Sequence, residues 1–229
     1  MKSDRLQMVS TNYGQRATLR LPEGTKIVLN ANSTLKYPAV WNGQTARELQ
    51  LHGEAYFDVA DRPEGPQDDF IVLTDDGFIR VVGTKFVVYE RGNGTRVVLE
   101  KGGVEVTPVD TSALRPLPAA KVLLTPGHLL YFKKGTHFLR PISVNVLPYM
   151  TWWLDQIVLQ ETPFAEIVQR LEETYGVKVE VRDKELLKRT LSGSIENRNL
   201  EIITDALAKA LRVSVHREGE TIIFYKSSS

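Results

Sequence analysis

The chain contains no cysteine. Disulfides, thiolate nucleophiles and sulfur-ligated zinc or iron–sulfur centres are therefore excluded. No run approaches the roughly 18 uninterrupted apolar residues that suggest a membrane span. The opening "MKSDRLQMVS" lacks the apolar core of a signal peptide. A charge excess is missing too: Lys plus Arg total 29 and Asp plus Glu 28. A nucleic-acid binder needs a basic surplus for its phosphate contacts, so that partner class is disfavoured. Motifs for chemistry are scarce. Of the histidines, His52, His128, His137 and His216, no two stand four apart as in H-E-x-x-H. There is no P-loop, no G-x-G-x-x-G after a strand and no G-x-S-x-G elbow. The sequence thus offers no catalytic residue, no cofactor-binding residue and no metal ligand, and a hydrolase is disfavoured.

What is present is an ordinary globular composition, 42% hydrophobic and 25% charged over 229 residues, enough for one large domain or two small ones. From about Thr18 to Phe138 the text is a series of short apolar runs that turn at glycine. "ATLRLPEGTKIVLN" turns at Gly24, "FIVLTDDGFIRVVGTKFVVYE" at Asp76-Gly77 and Gly83, "TRVVLEKGGVEV" at Gly102-Gly103, and "KVLLTPGHLLYF" at Gly127. Alternation of this kind is the half-buried strand signal. An all-β domain follows, and a solenoid-like or a sandwich-like stack both suit it. "TPVDTSALRPLPAA" reads as a loop, from its three prolines. The carboxylate pairs Asp68-Asp69 and Asp75-Asp76 read as solvated turn residues.

After "LPYMTWWLDQ" the period changes. Phe164, Ile167, Val168, Leu171 and Tyr175 fall at helical spacing, with Thr162 as the expected N-cap, Pro163 at the first helical position and Gly176 as the stop. Leu200, Ile203, Leu207 and Leu211 repeat this scheme 36 residues later, with Asn199 as the expected cap. Val213 and Val215 then echo Val177 and Val179. A duplicated helix-then-strand unit results, and the expected order is βαββαβ. The organisation expected is an N-terminal extension over 1–17, the all-β domain over 18–147 and an aromatic linker over 148–156. The α+β domain covers 157–226, and 227–229 form a tail. Aromatic residues at the junction, Tyr149, Trp152 and Trp153, read as packing groups.

One segment invites a catalytic reading. "LQLHGEAYFDVA", residues 49–60, holds His52, Glu54, Tyr56 and Asp58. A strand has a side-chain period of two, so these polar residues share a face simply because the strand alternates. Leu49, Leu51, Ala55, Phe57 and Val59 take the other face. Gly53 suits a bend that would part His52 from Glu54. No nucleophile or oxyanion donor joins the polar face.

The ordered runs "LPEGTKIVLNANSTLKYP", "RELQLHGEAYFDVA" and "FIVLTDDGFIRVVGTKFVV" closely resemble the periplasmic region of FecR-type anti-sigma regulators. That family's pattern reads LPDGS-x-V-x-LN-x-x-S-x-L-x-Y, then L-x-GEA-x-F-x-V, then V-x-V-x-GT-x-F-x-V. Glu23-Gly24-Thr25 replaces the commoner Asp-Gly-Ser. "LQETPFAEIVQRLEETYGVKVEV" resembles the second domain of Bacteroidetes-type members, which is similar to the short N-terminal domains of secretins and TonB-dependent receptors. The resemblance implies a non-enzymatic sensor, without cofactor, in the periplasm. Its partner would be the signalling domain of a TonB-dependent outer-membrane receptor. It implies an extracytoplasmic-function sigma factor held by a cytoplasmic segment, and one membrane helix, neither of which is in these residues. On this expectation the chain is the sensing half of a longer protein, with Met1 a start residue placed before an excerpt.

A small α+β domain offers strand edges to which an extended partner can add. "TLSGSI", comprising Thr190, Leu191, Ser192, Gly193, Ser194 and Ile195, is the candidate docking edge, because Gly193 leaves room for another backbone. An internal strand or turn is the plainer reading of the same residues. The alternative function is a periplasmic carbohydrate- or cell-wall-binding module with Trp41, Trp152 or Trp153 as stacking platforms.

Overall fold

The computed structural model describes residues 6–39, 46–61, 69–92, 94–111, 116–117 and 120–226. It divides into two compact units. The first comprises the residues up to Asn12 together with Arg16–Val146, and the second Tyr13–Gln15 with the chain from Leu147 onward.

The named elements of the first unit are strands. They are β1 Leu6–Thr11, β2 Ala17–Arg20, β3 Lys26–Leu29, β4 Ser33–Pro38, β5 Arg47–Asp58, β6 Phe70–Leu73 and β7 Gly77–Val81. There follow β8 Lys85–Arg91, β9 Gly94–Lys101, β10 Val104–Pro108, β11 Val122–Leu124, β12 His128–Phe132 and β13 Ile142–Ser143. All thirteen belong to one hydrogen-bonded sheet that curls into two limbs. One limb runs β11-β10-β7-β6-β5-β4-β1 and the other β2-β3-β5-β8-β9-β12-β13. Strand β5 belongs to both. Its first half pairs with β4 and, in parallel, with β6; its second half pairs with β3 and β8. The change of partners falls at Gly53, whose φ of 102° is costly for any residue with a Cβ.

Both limbs turn their apolar faces to a single core. Leu49, Leu51, Ala55 and Phe57 of β5 are all buried in it. Phe57 stacks on Phe86 of its own limb at 4.9 Å and meets Phe70 of the other limb edge-on at 6.0 Å. A solenoid would carry its core along a stack of coils; here the limbs close over one shared core, on the sandwich side of the two expected forms. Over its described residues the N-terminal stretch is not an extension. Residues 6–11 form β1, paired along its length with β4, while Tyr13–Gln15 join the second unit. Within "TPVDTSALRPLPAA", residues 112–115 and 118–119 lie outside the described residues; Thr107 and Pro108 end β10 and Val109 bridges to Pro116.

The second unit contains α1 Leu147–Met150, a 3-10 turn Thr151–Leu154, β14 Gln156–Pro163, α2 Phe164–Tyr175 and β15 Lys178–Val181. After a second 3-10 turn, Lys184–Lys188, come β16 Thr190–Glu196, α3 Leu200–Leu211, β17 Ser214–Glu218 and β18 Thr221–Tyr225. The helices match at the offset of 36, and Phe164, Ile167 and Leu171 pack with Leu200, Ile203, Leu207 and Leu211 in one core. The order is βαββαββ, one strand longer than expected. "TIIFY" returns as a hairpin on β17 and inserts as β18 between β15 and β17. The expected linker 148–156 is not a linker. Met150, Thr151 and Trp152 are buried, and Asn197 ties the segment to the unit. Its side chain donates to Trp152 O at 3.3 Å and its N–H to Asp155 O at 2.8 Å. The N-cap of α2 also differs: Pro163 occupies it, and Thr162 Oγ1 instead accepts from Gln160 N. The first helical N–H, that of Phe164, donates to Arg189 O at 2.8 Å, so a neighbouring segment supplies the cap. Gly176 ends α2 with φ 66°, and Asn199 caps α3 through Ile202 N at 2.9 Å, both as expected.

Candidate functional site

The polar face of β5 is where a catalytic cluster would lie. The structure makes it a set of anchors. Asn30 Nδ2 donates to Glu54 Oε2 at 2.7 Å, and Glu54 N donates to Ser33 Oγ at 3.0 Å. Ser33 Oγ in turn donates to Ala31 O, and Arg91 also donates to Ala31 O at 2.6 Å. An added Cβ at Gly53 would lie 2.3 Å from Ser33 Oγ, so the strand can bend here only because residue 53 has no side chain. Tyr56 is buried on this same face and donates to Glu100 at 3.4 Å. Burial first, then the negative charge of Glu100 and Asp58, pushes its phenol well above the usual tyrosine range. A phenol held neutral cannot serve as nucleophile or base. The other ordered motifs are anchors as well. Thr84 is fully buried and donates to Val82 O or Gly103 O, while Thr25 Oγ1 accepts from Ala60 N.

The candidate docking residues Thr190, Leu191, Ser192, Gly193, Ser194 and Ile195 all fall in β16. Strand β16 pairs with β14 and, among the described residues, with no other strand, so one of its edges is open. Leu191 and Ile195 are half-buried and pack on the core of the unit. Thr190, Ser192, Gly193 and Ser194 are exposed. Gly193 has φ 139°, and a Cβ placed on it would meet nothing within 4 Å. Strand β14 has an edge too, but it is guarded. Its register slips between Leu159 and Thr162, Glu161 sits at φ 47°, and Pro163 ends it. Bulges and prolines blunt an edge against strand addition. Between Leu191 and Ile195, β16 carries no charge, proline or bulge. Ser192 is committed internally, since its Oγ accepts from Glu161 N at 2.8 Å.

The remaining sequence candidates separate. Trp152 is 9% exposed and offers no platform to a sugar; Trp153 is half-buried, and Trp41 lies outside the described residues. Asp68 also lies outside them, and Asp69 pairs with Arg80 at 3.3 Å. Asp76 is not a solvated turn residue. It is 7% exposed, accepting Thr95 Oγ1 at 2.8 Å on one oxygen and Lys134 N at 3.0 Å on the other. Its neighbour Asp75 is exposed and points to a grouping that no local spacing reveals. His52, Asp75 and Glu90 each bring one ligand-capable atom within 4.8 Å of the others. They come from β5, the β6–β7 turn and β8, so sequence distance hides them.

Comparison with known proteins bears on both units. The sequence profile described as FecR protein matches residues 7–105, and that described as FecR, C-terminal matches residues 156–224. No curated protein matches the chain. Two crystal structures, each of a candidate anti-sigma factor from Parabacteroides distasonis ATCC 8503, superpose on it with a TM-score of 0.75. One is 24% identical, with 98% of this chain and 100% of that chain covered; the other is 23% identical, with 97% and 100% covered. At those identities the likeness establishes a shared fold.

Proposed function

The chain belongs to the FecR family, and from that premise we propose that it is the periplasmic sensing part of a membrane-anchored anti-sigma regulator. It receives its signal by contact with the signalling domain of a TonB-dependent outer-membrane transducer. It passes the signal to an extracytoplasmic-function sigma factor held by a cytoplasmic segment, across one membrane helix. The work is regulatory and not enzymatic.

The observation that carries the contact is the open edge of β16, a strand with nothing to repel a partner along Thr190–Ile195. An extended segment of the transducer adds there as a further strand. Main-chain hydrogen bonds supply affinity, and the exposed row of small side chains lets a second backbone approach closely. Gly193 and Ser194 are adjacent, so their N–H groups point to opposite edges of the strand. One proline therefore removes a bond to β14, and the other removes a donor from the open edge. Gly193→Pro also forces φ away from 139°, so Ser194→Pro is the gentler variant. Titration of the transducer's signalling domain into each variant, with circular dichroism as the check on folding, is the test. A loss of at least tenfold in affinity for a folded variant is expected. Unchanged binding by both folded variants would overturn the edge.

A further inference from the structure

We propose that His52, Asp75 and Glu90 bind one divalent transition-metal ion of the zinc class. The inference concerns the first unit and stands apart from the docking edge of β16. The donor set is one imidazole nitrogen and two carboxylates, all within 4.8 Å of one another. His52 Nδ1 and Glu90 Oε2 lie 3.5 Å apart. Two bonds of about 2.0–2.2 Å meeting at a tetrahedral angle place their donor atoms roughly 3.4 Å apart, so this pair is already spaced for a shared ion. Asp75 is the exposed member, and its side chain can swing the remaining distance.

The supports of the three ligands are rigid. His52 lies in β5 opposite Thr34, and Glu90 lies in β8 opposite Gly53. Gly53 N–H donates to Glu90 Oε2 at 3.3 Å, the kind of outer contact that orients a metal ligand. The turn that carries Asp75 is pinned on both sides. Thr74 N–H donates to Gly77 O at 3.0 Å, and Asp76 is fixed by Thr95 and Lys134. The carboxylates of Glu90 and Asp75 lie close together, and a divalent cation offsets their mutual repulsion. Mixed imidazole and carboxylate donors suit Zn²⁺, Co²⁺ or Ni²⁺, whereas Ca²⁺ and Mg²⁺ favour oxygen alone. Three protein ligands leave a position for water.

Bound there, the ion joins the bend of β5, the β6–β7 turn and the end of β8. Zinc titration of the untagged chain by calorimetry, with thermal melting in parallel, tests this. One equivalent is expected to bind and to raise the melting temperature, with chelation by EDTA reversing the rise. His52→Gln, Asp75→Asn and Glu90→Gln should each weaken binding by at least about tenfold. His128→Asn should leave it unchanged. Asp75 is exposed, so Asp75→Asn reports on ligation without disturbing the fold. Co²⁺ gives a second readout through its visible absorption, which the same three substitutions should abolish. Absence of binding at millimolar zinc, or binding undiminished in all three variants, would overturn the site.

Discussion

Glu54 is a carboxylate on the polar side of an alternating strand, and from its neighbours in sequence it could be a catalytic acid or a solvated surface group. Its partners come from elsewhere in the fold: Asn30 bonds its side chain and Ser33 its backbone. Those contacts make it a structural anchor. Glu54→Ala leaves the Asn30 amide without this acceptor, and the expected cost is about 1–3 kcal/mol. A double-mutant cycle with Asn30→Ala, followed by chemical denaturation, should return a coupling of about 1 kcal/mol or more. A coupling near zero would mean that the bond contributes nothing in solution. The assignment of faces in β5 was legible from alternation, because burial follows the period of two up to Ala55; Tyr56 departs from it, buried on the polar side. The anchoring was not, since a hydrogen bond between residues 30 and 54 leaves no local pattern.

Elements were legible where one residue period ran long enough. Helices α2 and α3 follow from their apolar stripes, and the cap of α3 from Asn199. The cap of α2 escaped because its donor is met by Arg189 O, across the unit and outside any capping motif. The duplication exposes a contrast at the helix ends. Gly176 closes α2 in the left-handed region, and its counterpart closing α3 is Arg212, with φ 58°. A side chain in that conformation costs roughly 1–2 kcal/mol. Arg212→Gly is therefore expected to stabilise the protein by about 1 kcal/mol, and Asn199→Ala to destabilise it by about 1 kcal/mol. Denaturant midpoints for the two variants, shifted in opposite directions, check both. Equal signs would contradict the pairing of the two helix ends.

At the scale of the whole molecule, the two-part division and the strand-rich first unit could be read from the change of period near residue 150. Strand order could not. Alternation tells which face of a strand is buried but not which strand lies beside it, so the sharing of β5 between limbs and the insertion of β18 both needed the structure. Stability against pH is likewise a property of the whole. The phenol of Tyr56 titrates higher in the folded chain than the value of about 10 expected when unfolded. The group is neutral in both states below that pH, so stability is at its full value there. As pH rises past about 10 the unfolded chain ionises first, and stability falls. Denaturation series between about pH 8 and 11, the window around the tyrosine pKa, should show a shallower alkaline decline for Tyr56→Phe than for the parent. Parallel slopes would mean that Tyr56 ionises as freely folded as unfolded.

The double membership of β5 has a consequence best put in terms of information. A strand with neighbours in two limbs has few synonyms. Leu51, Ala55, Phe57 and Val59 must fit a closed core, Gly53 must turn the chain past Ser33, and Glu54 must meet Asn30. Nearly every letter of L-x-GEA-x-F-x-V is thereby used to specify the scaffold, which is why the stretch is so readable. It encodes a shape and says nothing about a partner. On the docking edge proposed above, the message that distinguishes one partner from another is spelled where the fold leaves letters unspent, along the small, exposed residues of β16.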